Sequence, residues 1–164
     1  GSAATTDAFC DALRVASQLS GVKAVDVIIN MHGADGKLFF SDGGSNGTPV
    51  STVQNKLMAL GIQNKLRMAY NTSCYGSSHA AALCAGGFNA AIGSRRVNAN
   101  SASEYPLLLS LWIGGLNLSS ALAAAQAGVL REPADAVARQ IGFSDVDSYK
   151  TITGNQYLTV ESAG

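Results

Sequence analysis

Two short stretches hold the side chains best suited to covalent chemistry. VDVIINMHG, residues 25 to 33, is an apolar run that ends on His32 and Gly33. NTSCYGSSH, residues 71 to 79, carries Cys74 where a second apolar run gives way to small and polar residues, 42 positions after His32. A free thiol has a pKa of about 8.5, and a nearby imidazole or a helix N-terminus favours the reactive thiolate. Cys74 is expected to have both, because YGSSHAAAL reads as a helix beginning just after it. Gly33 has no Cβ, so its backbone N–H can approach a reacting carbonyl closely. Together with the N–H of Cys74 it would bind an oxyanion, and losing one such donor typically costs about 2.7–4 kcal/mol of transition-state stabilisation.

The elements that must position these residues are legible in outline. TTDAFCDALRVASQLSG reads as a helix capped by Thr6 or Asp7, with Phe9, Leu13, Ala16 and Leu19 on one side and Gly21 closing it. AVDVIINM is rich in β-branched residues and predicts a strand buried on both faces. HGADGKLFFSDGG predicts a small hairpin or flap with a short strand at 37–40. TPVSTVQNKLMALG predicts a helix capped by Thr48 or Ser51, and KLRMAYNTS a strand whose apolar run Arg67 interrupts. A helix over SSHAAALCAGG, a strand at FNAAIGS, a helix or strand at SEYPLLLSLWIGG and a helix at NLSSALAAAQAGVLR follow. Residues 131 to 148 are polar and predict a short helix plus loop, and YKTITGNQYLTV predicts an edge strand or hairpin. Alternating strands and helices imply right-handed βα units. The expected fold is a single α/β domain over 1–164: a three-layer α/β/α sandwich with a mainly parallel sheet. It has fewer strands than a doubly wound sheet usually carries, so N-terminal strands are expected to be missing or the chain to be a piece of a larger protein. In such sheets, sites form at the carboxyl ends of strands. His32 and Cys74 would occupy two such ends, about 4.8 Å apart laterally if the strands are neighbours.

Composition narrows the classes. Of 164 residues, 47% are hydrophobic and only 13% charged, which argues for a sizeable core and against disorder. Acidic and basic residues balance, 11 against 11, so no nucleic-acid or anionic-membrane partner recruited by net charge is expected. No apolar stretch reaches the roughly 18 residues of a membrane span. Cys10, Cys74 and Cys84 make an odd count, expected to be reduced thiols of a cytoplasmic protein. Cys is among the most buried residue types, and Cys10 and Cys84, beside alanines and leucines in predicted helices, read as core. Cys74, His79 and Cys84 have a C-x4-H-x4-C spacing, but residues five apart on a helix are rotated by roughly 140°, so no metal site is expected.

The residues around the two motifs carry a resemblance. His32-Gly33 at the end of an apolar strand, followed by a hairpin, a helix and a strand leading to Ser73-Cys74-Tyr75-Gly76, resembles the caspase-like cysteine peptidase superfamily, closest to its CHAT, clostripain, gingipain and metacaspase members. The likeness spans roughly residues 24 to 128. It implies a caspase-like fold and a His32–Cys74 catalytic dyad cleaving peptide bonds through a thioester, with Gly33 and Cys74 N–H groups on the oxyanion and no cofactor or metal. The implied partner is a peptide or protein substrate; a homodimer, or other domains of a larger protein, is left open. The chain departs from the pattern at Thr72, where metacaspases carry an acid and caspases a Gln. In caspases an arginine beyond the next strand binds an acidic substrate side chain, and Arg95 or Arg96 stands in about that place. A basic substrate residue would instead need an acid, for which Asp35, Asp42 and Glu104 are candidates. The alternative function is a catalytically inactive domain of the same fold acting as a binding or regulatory module. The order His-then-Cys, without a glycine elbow before Cys74, argues against a glutaminase-like hydrolase.

Overall fold

The computed structural model describes residues 4–127 and 131–164. Helix α1 (Thr6–Gln18) leads into strand β1 (Val25–Ile29). A small antiparallel sheet follows, made of β2 (Gly33–Ala34), β3 (Lys37–Leu38) and β4 (Thr48–Pro49). Then come helix α2 (Val50–Ala59), strand β5 (Leu66–Asn71), helix α3 (Gly76–Ala85) and strand β6 (Ala90–Ser94). Helices α4 (Glu104–Ile113), α5 (Leu118–Gln126) and α6 (Arg131–Gln140) precede the last strand, β7 (Lys150–Gly154).

The main sheet has the order β1-β5-β6-β7. β1, β5 and β6 run parallel, and β7 closes the far edge antiparallel. Leu13, Leu57 and Leu83 from α1, α2 and α3 bury one face against Ile29, Leu66 and Ala91. Leu108, Trp112, Leu118 and Leu122 from α4 and α5 bury the other against Met68, Tyr70 and Ile92. The chain is thus a mixed α/β protein with a mostly parallel open sheet between helices. Among the described residues no helix is long and apolar enough to cross a membrane.

Several local expectations need correction. β1 is not buried on both faces: it lies at the sheet edge, where Asp26 and Ile28 remain exposed. An edge strand gains cover on only one side of its ladder, so its apolar composition overstates its burial. Arg67 interrupts the apolar run of β5 as expected, yet all six residues of the strand are buried. It occupies an irregularity in the β1–β5 register, between the partners of Val25 and Asp26. There its guanidinium takes both oxygens of Asp26 at 3.0 and 2.6 Å, bonds the carbonyls of Val160 and Ser162, and stacks 4.8 Å from the Trp112 ring. The α1 cap is Thr5, whose side chain accepts from Ala8 N, because Thr6 is buried and held by Asp42. α2 starts after Pro49 with no side-chain cap, since Thr48 is spent in β4.

Candidate active site

Cys74 lies in the turn between β5 and α3, and His32 lies just past β1, the neighbouring parallel strand. Both line one cavity of about 1080 Å³ at the carboxyl ends of the sheet. The thiol is half-buried and His32 is exposed. The backbone N–H of Asn98 donates to Cys74 Sγ at 3.4 Å.

The turn itself is built for this exposure. Tyr75 adopts the left-handed conformation with φ 57°, rare for a bulky residue and worth of order 1–2 kcal/mol of strain. It is held there by its N–H on Arg96 O at 2.8 Å and its hydroxyl on Asp145. The chain can then enter α3 only because Gly76 and Gly93 touch directly: a Cβ on Gly93 would lie 2.1 Å from Gly76 C. The first turn of α3 therefore rests on the backbone of β6, with Cys74 immediately before it.

On one side of Cys74 the β2–β3 hairpin is latched to α3. A Cβ on Gly33 would meet Cys74 O and Ser73 Oγ, each at 2.7 Å, so only glycine lets the hairpin lie this close. His79 Nε2 lies 2.7 Å from Ala34 O, and Nδ1 lies 2.9 Å from the side-chain nitrogen of Asn71. A carbonyl only accepts, so Nε2 carries the proton and Nδ1 accepts from the Asn71 amide. Asn71 Oδ1 in turn accepts from the N–H and hydroxyl of Ser73 at 2.9 and 2.6 Å. Ser78 Oγ accepts from Gly36 N at 2.9 Å. Burial pulls the pKa of His79 below its ordinary 6.5, with the Ala34 hydrogen bond opposing, so the ring is held neutral.

On the other side an ionic cluster holds the loop after β6. Lys150 and Glu104 are fully buried, with Nζ 3.3 Å from Oε2. Tyr70 donates to Glu104 at 3.0 Å, and burial reinforced by that carboxylate pushes the phenol pKa far up, so it stays a donor. Lys150 Nζ also reaches Asn98 Oδ1 at 3.5 Å and Ser148 O at 3.4 Å. Burial draws the Lys150 pKa down while Glu104 opposes the shift. Asn98 Nδ2 donates to Thr72 O at 2.8 Å, which joins the loop to the end of β5. Ser148 accepts from Ala99 N at 2.7 Å and donates its own N–H to Asp135 of α6 at 3.2 Å, fixing α6 to the same loop.

The structure thus places His32 and Cys74 in the lining of one cavity and packs Gly33 against the Cys74 backbone. Arg95 and Arg96 do not line the cavity: Arg95 stacks 4.4 Å from the Tyr149 ring, and Arg96 pairs with Asp145. Asp42 is held by Thr6, and Glu104 is sealed with Lys150. Asp35 is exposed at the hairpin turn and does not line the cavity. Thr72 is buried, its N–H bonding Ile29 O at 2.9 Å. Cys10 and Cys84 sit in α1 and α3, where burial raises both thiol pKa values. Cys84 points at Thr153 O, so the 74–79–84 spacing does not converge. Residues that the sequence reading passed over are Asn98, Lys150 and the cavity wall on α6. The last had a signal, since Pro133, Val137 and Ile141 recur every four residues. No protein-family model matches the chain, and no curated protein matches it.

Proposed function

We propose that the chain is a cysteine peptidase of caspase-like type that cleaves peptide bonds with a His32–Cys74 dyad. The reading rests on one observation: His32 and the half-buried Cys74, from adjacent parallel strand ends, line the same open cavity. Gly33 packed on the Cys74 backbone and the Asn98 N–H on the sulfur support it. In this reading the Cys74 thiol passes its proton to His32 as its sulfur attacks the scissile carbonyl, and the oxygen takes up the negative charge against the N–H groups of Gly33 and Cys74. The C–N bond then breaks as His32 gives a proton to the leaving amine. A water, deprotonated by His32, attacks the thioester; the C–S bond breaks, the carboxylic acid leaves, and His32 returns its proton to the Cys74 sulfur.

The alternative, an inactive binding module of the same architecture, predicts an unreactive Cys74. Mass spectrometry after treatment with iodoacetamide and with peptidyl acyloxymethyl ketones at neutral pH separates the two. Rapid modification at Cys74, lost in Cys74→Ala and kept in Cys84→Ala, is the expected result. Modification of all three cysteines at one slow rate would overturn the peptidase reading.

A further inference from the structure

One wall of the cavity carries a pattern that nothing in the hydrolytic step requires. Pro133, Ala134, Val137 and Ala138 occupy one face of α6, and Ile141 and Phe143 follow it. In most helices such an apolar face packs into a core. Here Val137, Ile141 and Phe143 are 56%, 70% and 53% exposed, because the face looks into the cavity. That helix is no loose appendage, since Asp135 and Ser148 tie it to the loop that contacts the sulfur. Among the described residues that line the cavity none is Asp, Glu, Lys or Arg. Of the nearby cations, Arg95 pairs with Asp147, Arg96 with Asp145 and Arg131 with Glu132 and Asp135, while Arg139 of α6 donates to the Val146 carbonyl at 2.9 Å. Among the described residues an acidic substrate side chain would find no Lys or Arg in the lining, and a basic one no carboxylate. Desolvating either charge without a partner is unfavourable, whereas an apolar side chain would bury the exposed wall.

We propose that the α6 wall is a specificity subsite that accepts a bulky, uncharged apolar side chain, carried by the residue whose carbonyl Cys74 attacks, and that rejects acidic and basic residues there. The substrate assignment rests on the peptidase reading; the binding preference of the wall does not. The test therefore has two arms. In the first, the unreactive Cys74→Ala chain is titrated with acetyl-Ala-Ala-Leu-amide and with its Asp and Arg counterparts, followed by chemical shifts of α6 amides. The Leu peptide should bind at least about tenfold tighter than either charged one. Val137→Asp, a change at an exposed position, should erase that margin while the thermal melt stays in place. Equal affinities, no binding, or preference for Asp or Arg would overturn the subsite. In the second arm, the matching Leu, Asp and Arg acyloxymethyl ketones are reacted with the unmodified chain. Fastest labelling of Cys74 by the Leu probe supports the subsite. Fastest labelling by a charged probe overturns it while leaving the peptidase reading intact. An absence of labelling by every probe fails the peptidase reading alone, and the first arm then decides the subsite.

Discussion

Two buried polar clusters flank Cys74, and they solve the same problem with different chemistry. The His79–Asn71–Ser73 cluster holds the hairpin through neutral hydrogen bonds. The Glu104–Lys150–Asn98 cluster holds the opposite loop through a buried ion pair. A neutral network is cheap to desolvate and fails by protonation. An ionic one is costly to desolvate and fails when either partner is lost. The difference teaches that the side bearing His32 and Gly33 is set by shape and hydrogen-bond direction, while the side meeting the sulfur is set by charge.

The sharpest way to break the comparison is to remove one ion. Lys150→Met leaves the Glu104 carboxylate buried beside Tyr70, and should cost about 3–5 kcal/mol in urea unfolding. Glu104→Gln with Lys150→Met should recover most of that loss, because no unpaired charge then remains. Failure of the double variant to recover would mean that packing, not charge, holds the loop. Next in size is Gly33→Ala, whose new methyl must push against Ser73 and Cys74 and should cost about 1–3 kcal/mol. Iodoacetamide labelling of Cys74 in that variant reads out whether the hairpin's place matters to the sulfur; an unchanged rate would separate the two. The smallest effect belongs to pH. The folded pKa of His79 lies below its unfolded value, so the unfolded chain binds more protons in acid. The stability His79 contributes is present above about pH 6.5 and is lost as pH falls below that toward the depressed folded value, by at most about 1.4 kcal/mol per pH unit. Urea midpoints between about pH 7 and pH 5.5 measure it, and His79→Gln should flatten that limb; a persistent slope would assign it to other groups.

How far the sequence discloses this arrangement depends on how local each signal is. The end of β5, the turn at Cys74 and helix α3 are written in consecutive residues, from the apolar LRMAY run to Gly86 and Gly87. His32-Gly33 is legible for the same reason. β1 reads as deeply buried because periodicity reports composition, not the presence of a neighbour on the outer edge. The ionic cluster is invisible in the chain, since Glu104 and Lys150 lie 46 residues apart and each alone looks solvated. Arg95 and Arg96 invite a role in substrate binding because the acids that engage them, at 147 and 145, come from a distant loop. In α6 the charges of Glu132, Asp135 and Arg139 mask an apolar stripe that spacing alone could have revealed.

The direct contact of Gly76 with Gly93 has a further consequence. With no side chain between helix and strand, the height of the Cys74 backbone above the sheet is set by main-chain packing, and only χ1 remains to place the sulfur. The walls of the groove can therefore be rewritten, residue by residue, without moving the backbone that carries Cys74. A designer who wants a new preference should leave this crossing untouched and vary α6 alone.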